Sequence, residues 1–226
     1  MLQRNLLKAI DLKMYKYIFF DLDGTLLNTY PGVSNAVKYT MEFYNKPVPN
    51  ETEMKKYLGP PLADSFRDLA GFDEKIIPDA IKKFREYYLK KGVYEYEFFE
   101  DLKPTFDKLR NLGCILAVAT SKLELGAIEM LKHADLFDEF DFICGSTQDG
   151  TRVTKTQVVS HVINHYGITN KKEVILLGDR ENDVTGAKNN GIDCCGILCG
   201  FGSRKEFEES GATYIVPYIS DIFTIL

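Results

Sequence analysis

The chain has 226 residues, with 28 Lys+Arg against 33 Asp+Glu for a formal net charge of -5; 45% of it is hydrophobic and 27% charged. These proportions exclude a disordered chain, a collagen and a disulfide miniprotein, and the length suits one large domain or two unequal ones. A mildly acidic balance lacks the basic footprint with which a general nucleic-acid binder neutralises phosphates.

Five cysteines, an odd number without a CxxC pair, point to a reduced, cytoplasmic protein. No apolar run approaches the roughly 20 residues that span a bilayer. Residues 1–15 mix Leu and Ile with Lys, Arg and Asp, and are read as an N-terminal extension rather than a signal peptide.

In chain order, Tyr17-Ile18-Phe19-Phe20 predicts a buried strand, too short for a helix, and Asp21 to Leu27 a loop. Pro31 opens a helix with Val33, Ala36, Val37, Thr40, Met41 and Tyr44 on one face. Asn50 with Glu53 forms a capping box for a short helix that stops at Leu58-Gly59, where Pro60-Pro61 forces a turn. Further helices are predicted over Leu62 to Leu69 and over Glu74 to Lys91, so Pro31 to Lys91 is all helix. Strands and helices then alternate. The strands are Cys114 to Ala119, Phe140 to Cys144, Glu173 to Leu177 and Asp193 to Leu198; the helices between them are Leu123 to Lys132, Lys155 to Tyr166 and Asp183 to Asn190. Near-continuous apolar strands separated by helices predict an α/β fold, a three-layer parallel sheet core of Rossmann-like kind. An all-helical domain over 30–97 interrupts that core, which comprises 1–29 and 98–226.

Ligands of open parallel sheets collect at the carboxyl ends of the strands. There the chain places Asp21 and Asp23, then Thr120, Ser121 and Lys122, then Asp179 and Asp183, with Lys155 opening a helix. Several carboxylates cannot stay ionised together without a counter-charge, and a hard divalent cation such as Mg²⁺, bound by oxygens, supplies one. Thr120, Ser121, free backbone N–H groups and Lys155 would hold phosphoryl oxygens, and one Asp could act as nucleophile. Lys122 is the rival of Lys155 for the cation role. His161 and His165, four apart, lack a zinc-protease pattern and read as structural. The aromatic run Tyr87 to Phe99 reads as packing rather than a base-stacking platform. The segment from Tyr30 to Glu97 carries 11 basic and 11 acidic residues, so it has no net field to attract a polyanion.

Asp21-Leu22-Asp23-Gly24-Thr25-Leu26 resembles the first motif of the haloacid dehalogenase-like hydrolases. Thr120 resembles the second, Lys155 the third, and Gly178-Asp179-Arg180-Glu181-Asn182-Asp183 the fourth. The helical insert resembles the C1-type cap of that family. Leu58-Gly59-Pro60-Pro61-Leu62 and Gly200-Phe201-Gly202-Ser203 resemble its phosphoglycolate phosphatase-like branch, although Lys155-Thr156 replaces the commoner Lys-Pro. The resemblance implies Asp21 as nucleophile and Asp23 as general acid, then base. It implies Mg²⁺ on Asp21, the Asp23 carbonyl and Asp179, with Asp183 acting through water. The implied activity is hydrolysis of a small phosphorylated metabolite through an aspartyl-phosphate. A 5′-nucleotidase, a pyrophosphatase and a phosphomutase of the same family remain open, as do a receiver-like signalling protein and a non-catalytic phosphate-binding protein. Arg67, close after the Pro60-Pro61 turn, is the cation expected to meet a substrate anion.

Overall fold

The computed structural model describes residues 15–226; the N-terminal extension read from the sequence lies outside them, apart from Tyr15, which is buried. β1 (Tyr17–Phe20) leads into α1 (Tyr30–Phe43), α2 (Glu51–Met54), α3 (Leu62–Asp68) and α4 (Ile77–Tyr88). There follow α5 (Lys103–Asn111), β2 (Ile115–Leu123), α6 (Glu124–His133), β3 (Phe142–Ser146), α7 (Lys155–His165) and β4 (Val174–Gly178). α8 (Glu181–Asn190), β5 (Asp193–Ile197), α9 (Arg204–Ser210) and β6 (Tyr214–Val216) complete the chain of elements. The strands form one parallel sheet in the order β3-β2-β1-β4-β5-β6.

Alternating side chains of the central strands feed two cores, as period 2 requires. Ile18 and Phe20 pack with Phe106 and Leu109 of α5 and with Ala127, Met130 and Leu131 of α6. Phe19 points the other way, to Val158 and Val162 of α7, Val184 and Ala187 of α8, and Phe207 of α9. Helices on both faces make three layers, the α/β architecture that the apolar strands imply. Cutting Phe106 back to Ala would remove its edge-on contacts with Phe20 and Phe140 and cost about 3–5 kcal/mol.

The helical insert leaves the sheet layer at Asn28 and returns at Glu97. These two residues exchange both backbone hydrogen bonds, at 2.9 and 3.0 Å, and Asn28 Nδ2 also donates to Glu97 Oε2. Inside the insert, Phe66 meets Phe72 and Phe84 edge to face, and Phe84 stacks on Tyr88. The insert's buried residues fall in the same apolar cluster as Ile18, Phe20 and α5, together with Leu22, Leu26 and Leu27 of the loop after β1.

Several boundaries differ from the sequence reading. The helix expected over Glu74 to Lys91 spans only Ile77–Tyr88, with Pro78 in its first turn, where a missing N–H costs nothing. The strand expected at Phe140 starts at Phe142. Phe140 instead ends a short 3₁₀ turn and packs on Phe20, while Asp141 Oδ2 accepts from the Leu116 N–H. α5 and β6 are absent from the sequence reading; β6, at three residues, is too short for periodicity to announce.

Candidate active site

β1 sits between β2 and β4, and from it the chain first builds outward through β2 and β3, then returns to build β4, β5 and β6 on the other side. The loops leaving β1 and β4 therefore diverge, which opens a crevice at their carboxyl ends. Phe20 pairs with Leu177, and the Asp21 N–H donates to Leu177 O at 2.9 Å, so Asp21 and Asp179 leave adjacent strands side by side.

Asp183 joins them from the first turn of α8, its Oδ2 accepting from the Arg180 N–H at 3.1 Å. Asp21, Asp179 and Asp183 each offer one carboxylate oxygen, and these oxygens lie within 4.8 Å of one another, all on buried residues. Lys155 enters from α7, whose start is set by a capping box between Thr154 and Gln157. A cation at a helix N-terminus has the wrong sign for the helix dipole; here it is held by acids instead. Its Nζ lies 2.7 Å from Asp21 Oδ1 and 2.8 Å from Asp183 Oδ1, and donates to Ala119 O at 3.0 Å.

Burial pushes the Asp21 carboxyl up to about 6, with Lys155 pulling it down and Asp183 adding to the rise. Burial, then the charges of Asp183 and Asp21, push Asp179 well above the usual carboxylate range, against the pull of the Phe201 N–H and Arg180. Burial disfavours the Lys155 ammonium, but Asp183 and Asp21 outweigh it and hold the group above its ordinary value.

Three carboxylates and one ammonium leave two negative charges in a buried cluster. Asp179 Oδ1 is buried with no hydrogen-bond partner among the described residues, while Oδ2 accepts from the Phe201 N–H at 2.9 Å. An all-oxygen donor set, an unpartnered carboxylate oxygen and an excess negative charge fit a hard divalent cation. Gly24 closes the other side: its φ of +81° is a conformation side chains rarely adopt, and a Cβ there would lie 2.1 Å from Asp179 Oδ2.

The remaining residues divide. Thr120 is buried at the same strand ends, its Oγ1 accepting from the Lys122 N–H at 3.2 Å, whereas Ser121 is exposed. The Asp23 carboxylate lies outside the three-acid cluster and is gripped by Lys122, whose Nζ is 2.9 and 3.1 Å from its two oxygens. Arg67 does not join the site. Its guanidinium is paired with Asp64, with Glu74 at 3.1 Å and with Asp68 at 3.8 Å, all within the insert.

A cation that does cross from the core to the insert is Arg180, in the loop after β4. It donates through Nη1 to Leu58 O and through Nε to Glu206 at 2.9 Å, and its Nη1 would lie 2.9 Å from a Cβ on Gly59. Sequence reasoning gave neither Arg180 nor Lys122 this part. For Lys122 a signal was present: it follows Thr120 by two residues at the carboxyl end of β2, where the site residues gather.

A parallel sheet that gathers three buried acids, a lysine and a hydroxyl at its carboxyl ends is a site for moving an anionic group. Residues 18–197 match the family described as haloacid dehalogenase-like hydrolase. The chain belongs to that family. It is 33% identical over 208 residues to a 5′-nucleotidase of Pseudomonas aeruginosa, a match covering 92% of each chain. It is 31% identical over 205 residues to the tyrosine-protein kinase PtkA of Mycobacterium tuberculosis, covering 91% of this chain and 69% of that protein. A solved haloacid dehalogenase-like family hydrolase of Streptococcus pneumoniae superposes with a TM-score of 0.87 at 28% identity, covering 93% of this chain and 97% of that one.

Proposed function

We propose that the chain is a Mg²⁺-dependent phosphatase that hydrolyses a small phosphomonoester through an aspartyl-phosphate on Asp21. The observation that carries this reading is the buried cluster of Asp21, Asp179 and Asp183 around Lys155. Asp21, Asp179, Asp183 and the backbone carbonyl of Asp23 would hold the cation, which supplies positive charge to the phosphoryl oxygens and to the crowded carboxylates.

The chain's own residues do the rest. An Asp21 carboxylate oxygen attacks phosphorus while the bond to the leaving oxygen breaks, and Asp23 gives that oxygen its proton. Water then attacks the phosphoryl group on Asp21, with Asp23 taking the water's proton, and inorganic phosphate leaves. Lys155 and Thr120, with nearby backbone N–H groups, hold the non-bridging oxygens, and Ser121 stands beside them at the exposed end of β2. Asp21 must be ionised to attack; Lys155 at 2.7 Å favours that form. The insert, tied to the sheet at Asn28 and Glu97, acts as a cap that excludes water from the first step.

A nucleoside 5′-monophosphate is the first substrate class to try, supported by the relatedness to a 5′-nucleotidase over nearly the whole of both chains. Phosphoglycolate and pyrophosphate are the next candidates, and a phosphomutase would show as phosphoryl return to a sugar rather than release. A phosphate-release screen over nucleotides, sugar phosphates, phosphoglycolate and pyrophosphate tests the reading. Release should stop with a chelator and return with Mg²⁺. Full turnover in a metal-free preparation would contradict the proposed site.

A further inference from the structure

Lys122 is a half-buried lysine that the mechanism above does not use. Its side chain is 10% exposed, it extends from β2, and its Nζ touches both Asp23 oxygens. The same Nζ donates to the Tyr88 hydroxyl and lies 4.8 Å from the centre of the Tyr88 ring. Tyr88 closes α4 of the insert and stacks on Phe84, at 5.4 Å between ring centres and 19° between planes. Three elements thus meet at one ammonium: the sheet through Lys122, the loop after β1 through Asp23, and the insert through Tyr88. Among the described residues this is where the insert is linked to a carboxylate of the proposed mechanism.

We propose that Lys122 is a positioning residue that aims the Asp23 carboxylate, and that Tyr88 makes this aim depend on the insert being seated on the sheet. The proposal rests on the reading of Asp23 as the proton-transfer group. The geometry allows it to work. Each carboxylate oxygen has two lone pairs, and one contact per oxygen leaves a second free for a proton. Lys122 lies near the end of β2, where its own N–H donates to Thr120 Oγ1 and the next residue, Leu123, pairs with Ser146 of β3, so the lysine is tied to the sheet, whereas Asp23 is carried by the loop after β1. Lys155 lies against Asp21 and Asp183 instead, so Lys122 is the lysine on Asp23. When the insert lifts, the Tyr88 hydroxyl leaves, Lys122 loses one of its anchors, and the acid is mis-aimed while water has access. Proton transfer is then matched to the closed state.

The test uses the leaving group. A group that acts through Asp23 matters for a poor alkoxide leaving group and little for p-nitrophenolate, which needs no proton. Wild type, Asp23→Asn, Lys122→Met, Tyr88→Phe and the double variant Lys122→Met/Tyr88→Phe are assayed with Mg²⁺ on p-nitrophenyl phosphate and on the alkyl phosphate that the screen shows to be turned over fastest. Asp23→Asn should lose about 10²–10⁴-fold in kcat on the alkyl phosphate and much less on the aryl one. Lys122→Met should show the same split at about 10–10²-fold, within that range of proton-transfer effects. Tyr88→Phe, which keeps the ring and therefore the packing, should show it more weakly. The double variant should be no worse than Lys122→Met, because the two residues act along one line.

Equal losses by Lys122→Met on both substrates would mean that Lys122 binds the phosphate, and additive losses in the double variant would mean that Tyr88 acts elsewhere; either result overturns the proposal. If Lys122→Met does not fold, as judged by circular dichroism, the split or its absence in Tyr88→Phe decides. A split in Asp23→Asn without one in Lys122→Met sinks this inference alone. No split in Asp23→Asn sinks the role of Asp23 and the inference together.

Discussion

At the scale of single residues, the charge on Asp179 is costly until a cation balances it. Its carboxyl stands well above the usual range, first through burial and then through Asp183 and Asp21. A raised carboxyl pKa in the folded state means that the native protein holds this proton more tightly than the unfolded chain does. Stability therefore falls as pH rises above about 4, the unfolded value for Asp. Asp179→Asn keeps an oxygen for the Phe201 N–H and removes the charge. In chelator at pH 7.5 the variant should melt at a higher temperature than wild type, with the gap closing as pH falls to about 4. Mg²⁺ should raise the Tm of wild type and not that of the variant. Thermal melts at both pH values check this; a variant less stable than wild type in chelator at pH 7.5 would contradict it. Asp21 and Asp179 were legible in the sequence because each stands where an apolar run ends abruptly, and Asp183 because it follows Asp179 by four residues. The grip of Lys122 on Asp23 was not, since one lysine has no pattern of its own and its partners lie 34 and 99 positions away.

At the scale of elements, the turn Leu58-Gly59-Pro60-Pro61 was readable as rigid, and its glycine has a φ of +99°. What it touches was not readable, because contact requires the insert to fold back over α8. Arg67, nearer in sequence, is neutralised by Asp64, Asp68 and Glu74 on its own and neighbouring segments, while Arg180 reaches Leu58 O from the fourth motif. Arg180→Ala should lower kcat/KM for the preferred natural substrate about tenfold, the loss of one hydrogen bond from a charged group. It should lower turnover of a small aryl phosphate less, because that substrate reports mainly the chemistry at Asp21. Arg67→Ala should leave both within about twofold, as expected for an exposed ion pair. Steady-state kinetics on the two substrates check this, and a larger loss from Arg67→Ala than from Arg180→Ala would contradict the assignment. The strands of the core were legible because parallel strands buried on both faces are apolar throughout. β6 was missed because three residues carry too few periods to register, and α5 was missed although it is longer than α3, which was read.

At the scale of the whole molecule, the strand order places the reversal of chain direction between β1 and β4 and so fixes where the acids meet. The insert leaves and returns beside that crevice, through the paired Asn28 and Glu97. It is linked to the core at Lys122–Tyr88 and Arg180–Leu58. The central claim is that Asp21 carries the phosphoryl group during turnover, and trapping the intermediate tests it most directly. Asp23→Asn, mixed with an activated phosphodonor and Mg²⁺ and quenched in acid, should release its leaving group but slow the hydrolysis that Asp23 assists. Peptide mass spectrometry should then find the added phosphoryl mass on Asp21. Label on any other residue, or none despite leaving-group release, would contradict the account.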